Sequence, residues 1–261
     1  MPRDFLSAHL KTMAPHRAIL RAAECKLMSG VRLRTPVLDV GCGDGHFASI
    51  CYDTPIDVGV DVHLGDAREA AARPGVYRSV VLAGATELPL QDSSFGTVVS
   101  NCVLEHIPDI DGALAEIARV LRPEGELAIT VPNPDFPAQL FFSRAFARLG
   151  VPSLAEAYGR FFNRISHHHH VDHFHVWEGR LNRAGLRVVE HRAYFSAAAV
   201  RAFDLSLYAG APNLVTRMLI GRWVLHPAQM ALSYVWLRRY GDEADGESGA
   251  CDFIRARKPE V

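Results

Sequence analysis

The chain has 261 residues, of which 49% are hydrophobic, and its formal net charge at neutral pH is −1. This length fits one large domain with a sizeable core, and the apolar content excludes a disordered chain. The net charge gives no reason to expect a nucleic-acid partner, although the charge is unevenly spread. Residues 37–131 are acidic, whereas residues 1–36 and 196–240 are basic.

Seven short apolar runs, rich in β-branched residues and bounded by turn residues, predict strands. In chain order they lie at 36–41, 56–62, 79–84, 96–102, 126–132, 186–195 and 251–258. Helical patterns separate them, and the clearest begins with Asp109 or Asp111 as its N-cap and ends at Pro123 and Gly125. Strands that alternate with helices predict an α/β fold with a parallel open sheet and helices on both faces.

The segment VLDVGCGDGHFASI, residues 37–50, carries the strongest chemical signal. Asp39 ends a predicted strand, and Gly41, Gly43 and Gly45 follow it before a predicted helix. Glycines let backbone amides approach a ligand closely, and the start of a helix offers unpaired N–H groups. A dinucleotide site would space its third glycine one residue later. The segment therefore indicates a nucleoside-containing cofactor and fits NAD less well.

The next predicted strand ends in Asp61, where a carboxylate can accept hydrogen bonds from both hydroxyls of a ribose. NAD and other adenosyl cofactors share that need, and segments further along the chain separate them. Five segments occur in order within residues 36–133: LDVGCGDG, VDV, LPLQDSSFGTVVS, VLEHIPD and RVLRPEGELAITVPN. In these segments and their order the sequence resembles the class I S-adenosylmethionine (SAM)-dependent methyltransferases, in particular the ubiquinone- and menaquinone-biosynthesis type (methyltransferase type 11).

The resemblance implies a Rossmann-like, open twisted sheet, mostly parallel with an antiparallel last strand, with helices on both faces and helical insertions near the C-terminus. It also implies SAM as the cofactor. The implied cofactor-binding residues are Asp39, Gly41, Cys42, Gly43, Gly45, Asp61, Val62, Ala85, Thr86 and Asn101. The glycine loop would wrap the methionine part, with Asp39 helping to hold its amino group, and Asp61 would bind the ribose.

Further roles follow from the same resemblance. Val62 would cover one face of the adenine, Ala85 and Thr86 would lie along its edge, and the Asn101 carbonyl would lie near the cofactor's ammonium group. Residues 104–106 would form the floor beneath the reactive methyl group. Many relatives place an aspartate where this chain has Gly84, four residues before the leucine of LP. Adenine recognition would then rest on backbone groups and stacking.

The segments of the chain follow from these patterns and together predict one structural domain. They are an N-terminal helical segment (1–36), a cofactor-binding core (37–132), an insertion over the active site (133–172), a core helix and strand (173–195), an apolar basic insertion (196–250) and a final strand (251–261).

The stretch NRISHHHHVDHFHVW, residues 163–177, holds six histidines and leaves three interpretations open. In a helix, His169 or His170 could share a metal ion with His173, with Asp172 nearby. A histidine could instead act as a base or contact the substrate, since imidazole titrates near pH 6.5. The run could also be a polar helix entrance. The predicted catalytic residues are His106 and His170, and no metal ligand set is predicted.

The basic insertion combines apolar helical stretches with arginines at 201, 217, 222, 238 and 239, and with Trp223, Tyr234 and Trp236. Such a segment can form a lid, a homodimer surface or a peripheral membrane contact. Its longest uncharged run has 15 residues, short of the roughly 18 to 20 that a membrane-spanning helix needs.

The five cysteines form no C-x-x-C pair, and the opening residues lack the apolar core of a signal peptide. These features predict a cytoplasmic protein, with peripheral contact at the inner face of the membrane left open. The predicted function is methyl transfer from SAM to a small-molecule or glycan acceptor, at oxygen, with no nucleic-acid partner. The alternatives are a SAM-binding regulatory or scaffold protein without turnover and, less favoured, an NAD(P)-dependent oxidoreductase.

Overall fold

The computed structural model describes residues 3–209, 227–241 and 248–260. The chain divides into two compact units, each assembled from three separate segments. The first comprises Met1–Lys26, Pro134–Ser166 and Ala193–Cys251, and the second comprises Leu27–Asn133, His167–Arg192 and Asp252–Val261. The expectation that the whole chain is a single structural domain stays a prediction.

Seven strands form one sheet in the order β3-β2-β1-β4-β5-β7-β6. They are β1 (Val37–Val40), β2 (Ile56–Asp61), β3 (Tyr77–Leu82), β4 (Phe95–Asn101), β5 (Leu121–Pro132), β6 (Arg187–Tyr194) and β7 (Cys251–Arg257). The pairs among β1 to β5 are parallel. Near the start of β5, the N–H of Glu124 donates to the carbonyl of Lys258, which directly follows β7. The N–H of Lys258 in turn donates to the carbonyl of Gly125. The predicted mostly parallel sheet with an antiparallel last strand is confirmed.

Eleven helices are defined within the described residues, together with a 3₁₀ turn at Leu104–His106. They are α1 (Phe5–Leu10), α2 (Pro15–Met28), α3 (His46–Cys51), α4 (Leu64–Ala72), α5 (Ile110–Val120), α6 (Asp135–Gln139), α7 (Phe141–Arg148), α8 (Pro152–Ile165), α9 (Phe174–Arg183), α10 (Ala197–Ala209) and α11 (Pro227–Gly241). The predicted helical insertions near the C-terminus are therefore present where the chain is described. No helix there is both long enough and apolar enough to span a bilayer.

The core of the second unit forms where the central strands meet α5. Asp109 caps this helix as predicted, because its side chain accepts a hydrogen bond of 3.0 Å from the N–H of Gly112. The predicted helix end at Pro123 and Gly125 is wrong. The helix ends at Val120, because Leu121 already pairs with Phe95 of β4.

The described parts of the first unit are mostly helical, and several of its phenylalanine rings pack against one another. Phe136 stacks on Phe162 and Phe195 at centroid distances of 5.6 and 6.0 Å, and it meets Phe203 edge-on at 5.3 Å. Residues 133–172 lack a strand pattern because α6, α7 and α8 occupy most of this range. Residues 210–226, which include the predicted basic and aromatic positions Arg217, Arg222 and Trp223, lie outside the described residues.

Candidate cofactor site and histidine cluster

The loop after β1 turns back over β2. The N–H groups of Gly41 and Cys42 both donate to the carbonyl of Val60, at 2.8 and 3.0 Å. Gly41 has φ +78°, and a Cβ atom there would lie 2.4 Å from both methyl carbons of Val103. Only glycine fits this position, for steric reasons internal to the protein.

Gly43 differs, because a Cβ atom there would meet no protein atom within 4 Å although φ is +54°. Its N–H donates to Asp61 at 2.8 Å, which aims the loop backbone towards the end of β2. The sterics of the protein therefore leave open space above Gly43. That space fits a ligand pressed against the loop.

Asp61 lies at the carboxyl end of β2 and is buried. One carboxylate oxygen accepts from Gly43 N–H and the other from His63 N–H, each at 2.8 Å. Each oxygen keeps a second lone pair that can accept from a ribose hydroxyl. The next residue, Val62, exposes 63% of its surface, so its apolar side chain is accessible for the predicted contact with the adenine.

Asp39 at the end of β1 is buried and accepts a hydrogen bond of 2.6 Å from the hydroxyl of Tyr77. Burial raises the pKa of Asp39 to about 6; the hydrogen bond from Tyr77 opposes this shift, and the charge of Asp61 adds to it. Sequence reasoning missed Tyr77. The sequence hints at a large side chain here only through the glycines at positions 45 and 59. At both positions a Cβ atom would lie within about 3.0 Å of the Tyr77 ring.

The loop after β3 holds the predicted adenine-edge residues, of which Ala85 is half-buried and Thr86 is exposed. Two side chains of α5 fix this loop. Glu116 accepts from Leu88 N–H at 2.8 Å, and Arg119 donates to the Leu88 carbonyl at 2.9 Å. Sequence reasoning missed both, although their i, i+3 spacing and opposite charges were readable.

Asn101 ends β4 and is half-buried. Its side-chain oxygen accepts from the hydroxyl of Thr130 at 2.9 Å, and the following residue, Cys102, has φ +48°. The chain therefore turns sharply after Asn101 into the 3₁₀ turn. Asp61 and Asn101 are the last residues of β2 and β4, and Asp39 is the last but one of β1. The three residues therefore share the edge of the sheet where open α/β folds bind ligands.

The histidine run does not form a helix between residues 167 and 173. Helix α8 ends at Ile165, His167 has φ +55°, and α9 begins only at Phe174. The interpretation of a metal pair at helical spacing, His169 or His170 with His173, is therefore wrong, because a loop does not place such residues on one face.

The loop is instead attached to the 3₁₀ turn. The N–H groups of His169 and His170 donate to the carbonyl of Glu105, at 2.8 and 3.1 Å. The His170 ring contacts the Ile107 carbonyl through Nε2 at 3.0 Å and the Arg180 guanidinium through Nδ1 at 3.3 Å. Both ring nitrogens of His170 are engaged in holding the loop, and its catalytic role stays a prediction.

Through this attachment His168 comes beside the other predicted catalytic residue, His106. Their ring centroids are 5.2 Å apart, and Glu105 lies next to both. Sequence reasoning did not combine these three residues, because two follow β4 and the third precedes α9.

Comparison with known proteins identifies the segment that carries this geometry. The family described as a methyltransferase domain matches residues 38–129. A malonyl-[acyl-carrier protein] O-methyltransferase of Methylovorus sp. is 36% identical over 110 residues, which are 38% of this chain and 37% of the relative. A demethylmenaquinone methyltransferase of Listeria monocytogenes is 30% identical over 154 residues, 54% of this chain and 62% of the relative.

Residues 38–129 form a methyltransferase domain. The expected class I SAM-dependent family is thereby confirmed for this segment, and SAM is the cofactor that this family uses. The chain spans between 37% and 62% of the length of these two relatives. A solved SAM-dependent methyltransferase of Thermotoga maritima shares the fold over 94% of this chain and 91% of its own, with a TM-score of 0.56 and 19% identity.

A substitution at Gly43 tests whether the open space above the methyltransferase loop belongs to the cofactor. Gly43→Ala should cost about 1–2 kcal/mol of stability through its left-handed backbone. It should also weaken SAM binding at least about tenfold, because the new methyl group would occupy the ligand's space. Gly75→Ala is the matched control, since Gly75 has φ +72° and equally open surroundings. Equal binding of SAM by both variants in calorimetric titration would contradict the assignment.

The raised pKa of Asp39 predicts a pH dependence. If Asp39 holds the cofactor's ammonium group as predicted, only its ionised form attracts that group, so SAM affinity should fall as the pH drops below about 6. As the pH falls through this range, Asp39 should also increase the free energy of unfolding of the protein without SAM. The reason is that a carboxyl whose pKa is raised by folding favours the folded state when it is protonated. Tyr77→Phe removes a hydrogen bond that lowers this pKa and should move the binding midpoint to higher pH. A pH-independent affinity in wild type would refute the prediction.

Proposed function

We propose that the protein transfers the methyl group of SAM to a hydroxyl of a small molecule or glycan. The observation that carries the proposal is the set of strand ends around Gly43, within a segment that matches a methyltransferase domain. Asp61 offers acceptors for a ribose, Val62 offers an exposed apolar face, and the space above Gly43 suits a ligand. The name of the O-methyltransferase relative supports oxygen as the acceptor atom.

When bound, SAM supplies an electrophilic methyl group on a sulfonium whose leaving group is a neutral thioether. The protein's own task is therefore to position the acceptor in line and to remove its proton. His106 lies in the turn directly after β4, at the ligand-binding edge, and its side chain is 39% exposed. We propose that the acceptor hydroxyl loses its proton near His106.

Calorimetric titration with SAM and S-adenosylhomocysteine tests the first half of this proposal, with NAD as the control ligand. Binding of both adenosyl ligands but not of NAD is expected, since the third glycine lies where a dinucleotide site would not have it. Release of S-adenosylhomocysteine over a panel of hydroxylated and aminated acceptors tests the second half. Turnover with amines alone would show that the acceptor atom is nitrogen and not oxygen.

A second candidate is a SAM-binding regulatory or scaffold protein without turnover. Gly84 favours it, because this position lacks the aspartate of many relatives, and a Cβ atom there would meet only the Thr86 hydroxyl at 3.9 Å. Tight SAM binding without turnover, together with capture of a specific protein partner, would favour this candidate. An increase in SAM affinity in Gly84→Asp would show that the missing carboxylate limits binding.

We also propose a cytoplasmic location, which the five free thiols at positions 25, 42, 51, 102 and 251 support. Residues 196–240 remain our candidate for a lid, a homodimer surface or a peripheral membrane contact. Light scattering with and without vesicles of anionic phospholipid separates these three roles.

A further inference from the structure

Three side chains at the ligand-binding edge have their potential donor atoms close together. Glu105, His106 and His168 each offer one ligand atom, and all three atoms lie within 4.8 Å of one another. The Nε2 atom of His106 is 3.7 Å from a carboxylate oxygen of Glu105. Ligand atoms of a tetrahedral zinc site lie about 3.4 Å apart, given metal–ligand bonds of about 2.0–2.2 Å. A small inward movement of the rings would close such a site.

We propose that Glu105, His106 and His168 bind a divalent transition-metal ion of the Zn²⁺ class. Two imidazoles with one carboxylate are the ligand set of several catalytic zinc sites, in which a fourth position stays open. Hard ions such as Mg²⁺ prefer sites made of oxygen ligands alone, so this donor set disfavours them.

A neighbouring hydrogen bond orients the His106 ring of the cluster. The Nδ1 atom of His106 lies 3.1 Å from the His167 carbonyl, so Nδ1–H donates there. In the neutral ring the lone pair of Nε2 is then on the side of Glu105. Metal-binding histidines are commonly oriented by such a second hydrogen bond.

The backbone also holds the third ligand in place. The residues after His168 donate both of their N–H groups to the Glu105 carbonyl, and the His170 ring contacts the Ile107 carbonyl. The two segments that supply ligands are thus joined without the metal. A preformed set of donors costs less to organise on binding than a mobile loop would.

The site deepens the proposed function and, in its chemistry, rests on it. An acceptor hydroxyl in the open position would have its pKa lowered by the metal and would lose its proton to solvent. Its oxygen would then form the new bond to the methyl carbon while the carbon–sulfur bond breaks and its electron pair stays on sulfur. His106 would act through the metal in this scheme and not as a free base.

The test measures metal binding alone, on EDTA-treated protein without SAM or acceptor. Zn²⁺ is titrated calorimetrically, and Co²⁺ is followed by its visible absorption. Wild type should bind one ion with the intense bands of a tetrahedral Co²⁺ site. Glu105→Gln should weaken binding roughly 100-fold or more, since even outer-shell partners are worth about 10–100-fold. His106→Ala, at a partly exposed position, repeats the test if the buried Glu105 variant folds poorly.

His169→Ala is the matched control, because His169 belongs to the same run, is exposed and lies outside the cluster. It should bind Zn²⁺ as wild type does. Binding that survives both cluster substitutions, or that His169→Ala weakens equally, would assign the metal to the histidine run and overturn the proposal. Because neither SAM nor acceptor is present, failure of the methyltransferase activity would not alter this result.

Discussion

Replacing Asp61 with asparagine is expected to weaken SAM binding by about 100-fold or more. Two hydrogen bonds from ribose hydroxyls to a carboxylate are worth roughly 1.5–3 kcal/mol each, and about 1.4 kcal/mol corresponds to a tenfold change. Asparagine would also turn an N–H₂ group towards the N–H of either Gly43 or His63, which now donate to the two oxygens. The loop that faces the cofactor would therefore lose its anchor as well.

Asp66→Asn is the matched control for this substitution. Asp66 is an exposed acid in the first turn of α4, so the charge change is the same but no carboxylate is lost from the strand end. Calorimetric titration with SAM should show wild-type affinity in this control. Equal affinities in the two variants would remove Asp61 from the cofactor site, and a thermal melt would show whether either variant unfolds.

The strands and the start of α5 were predictable because their signals are local. Asp109 stands directly before its helix and accepts from the amide three residues later. The glycine loop was also readable, since its spacing is a property of one short segment. Its division into a structural glycine at 41 and an open one at 43 was not, because the difference depends on Val103, which follows β4.

Features that depend on distant parts of the chain could not be predicted. The end of α5 was misplaced because Leu121 pairs with Phe95 on another strand, and local turn residues do not encode that pairing. One of the three interpretations of the histidine run assumed helical spacing, whereas α8 ends at Ile165 and His167 adopts a left-handed conformation. His168 comes beside His106 only because the loop that carries it is hydrogen-bonded to the 3₁₀ turn in the folded chain. Spacing along the sequence does not encode that contact.

The second large effect is expected on stability, at a buried acid that has no part in the cofactor site. Glu126 of β5 accepts hydrogen bonds from Arg255 and Arg257 of β7, at 2.6 and 2.7 Å. Burial raises the pKa of Glu126, but the hydrogen bonds from the two arginines outweigh burial and hold the pKa below its usual value. Because folding lowers this pKa, the stabilisation is present at neutral pH and is lost as the pH falls through the folded-state pKa.

Glu126→Gln should therefore destabilise the protein by about 3 kcal/mol, towards the lower end for a broken buried pair because both arginines are partly exposed. The melting temperature should fall by roughly 6–12 °C.

Glu156→Gln is the control, since Glu156 and its partner Arg160 are both about 70% exposed and such pairs contribute little. Glu126 lies in the first half of β5, away from the carboxyl ends of the strands, so SAM affinity below the melting range should be unchanged. A variant that melts like wild type would show that the guanidinium groups find other partners, and one that loses SAM affinity would show that the β5–β7 pairing supports the site.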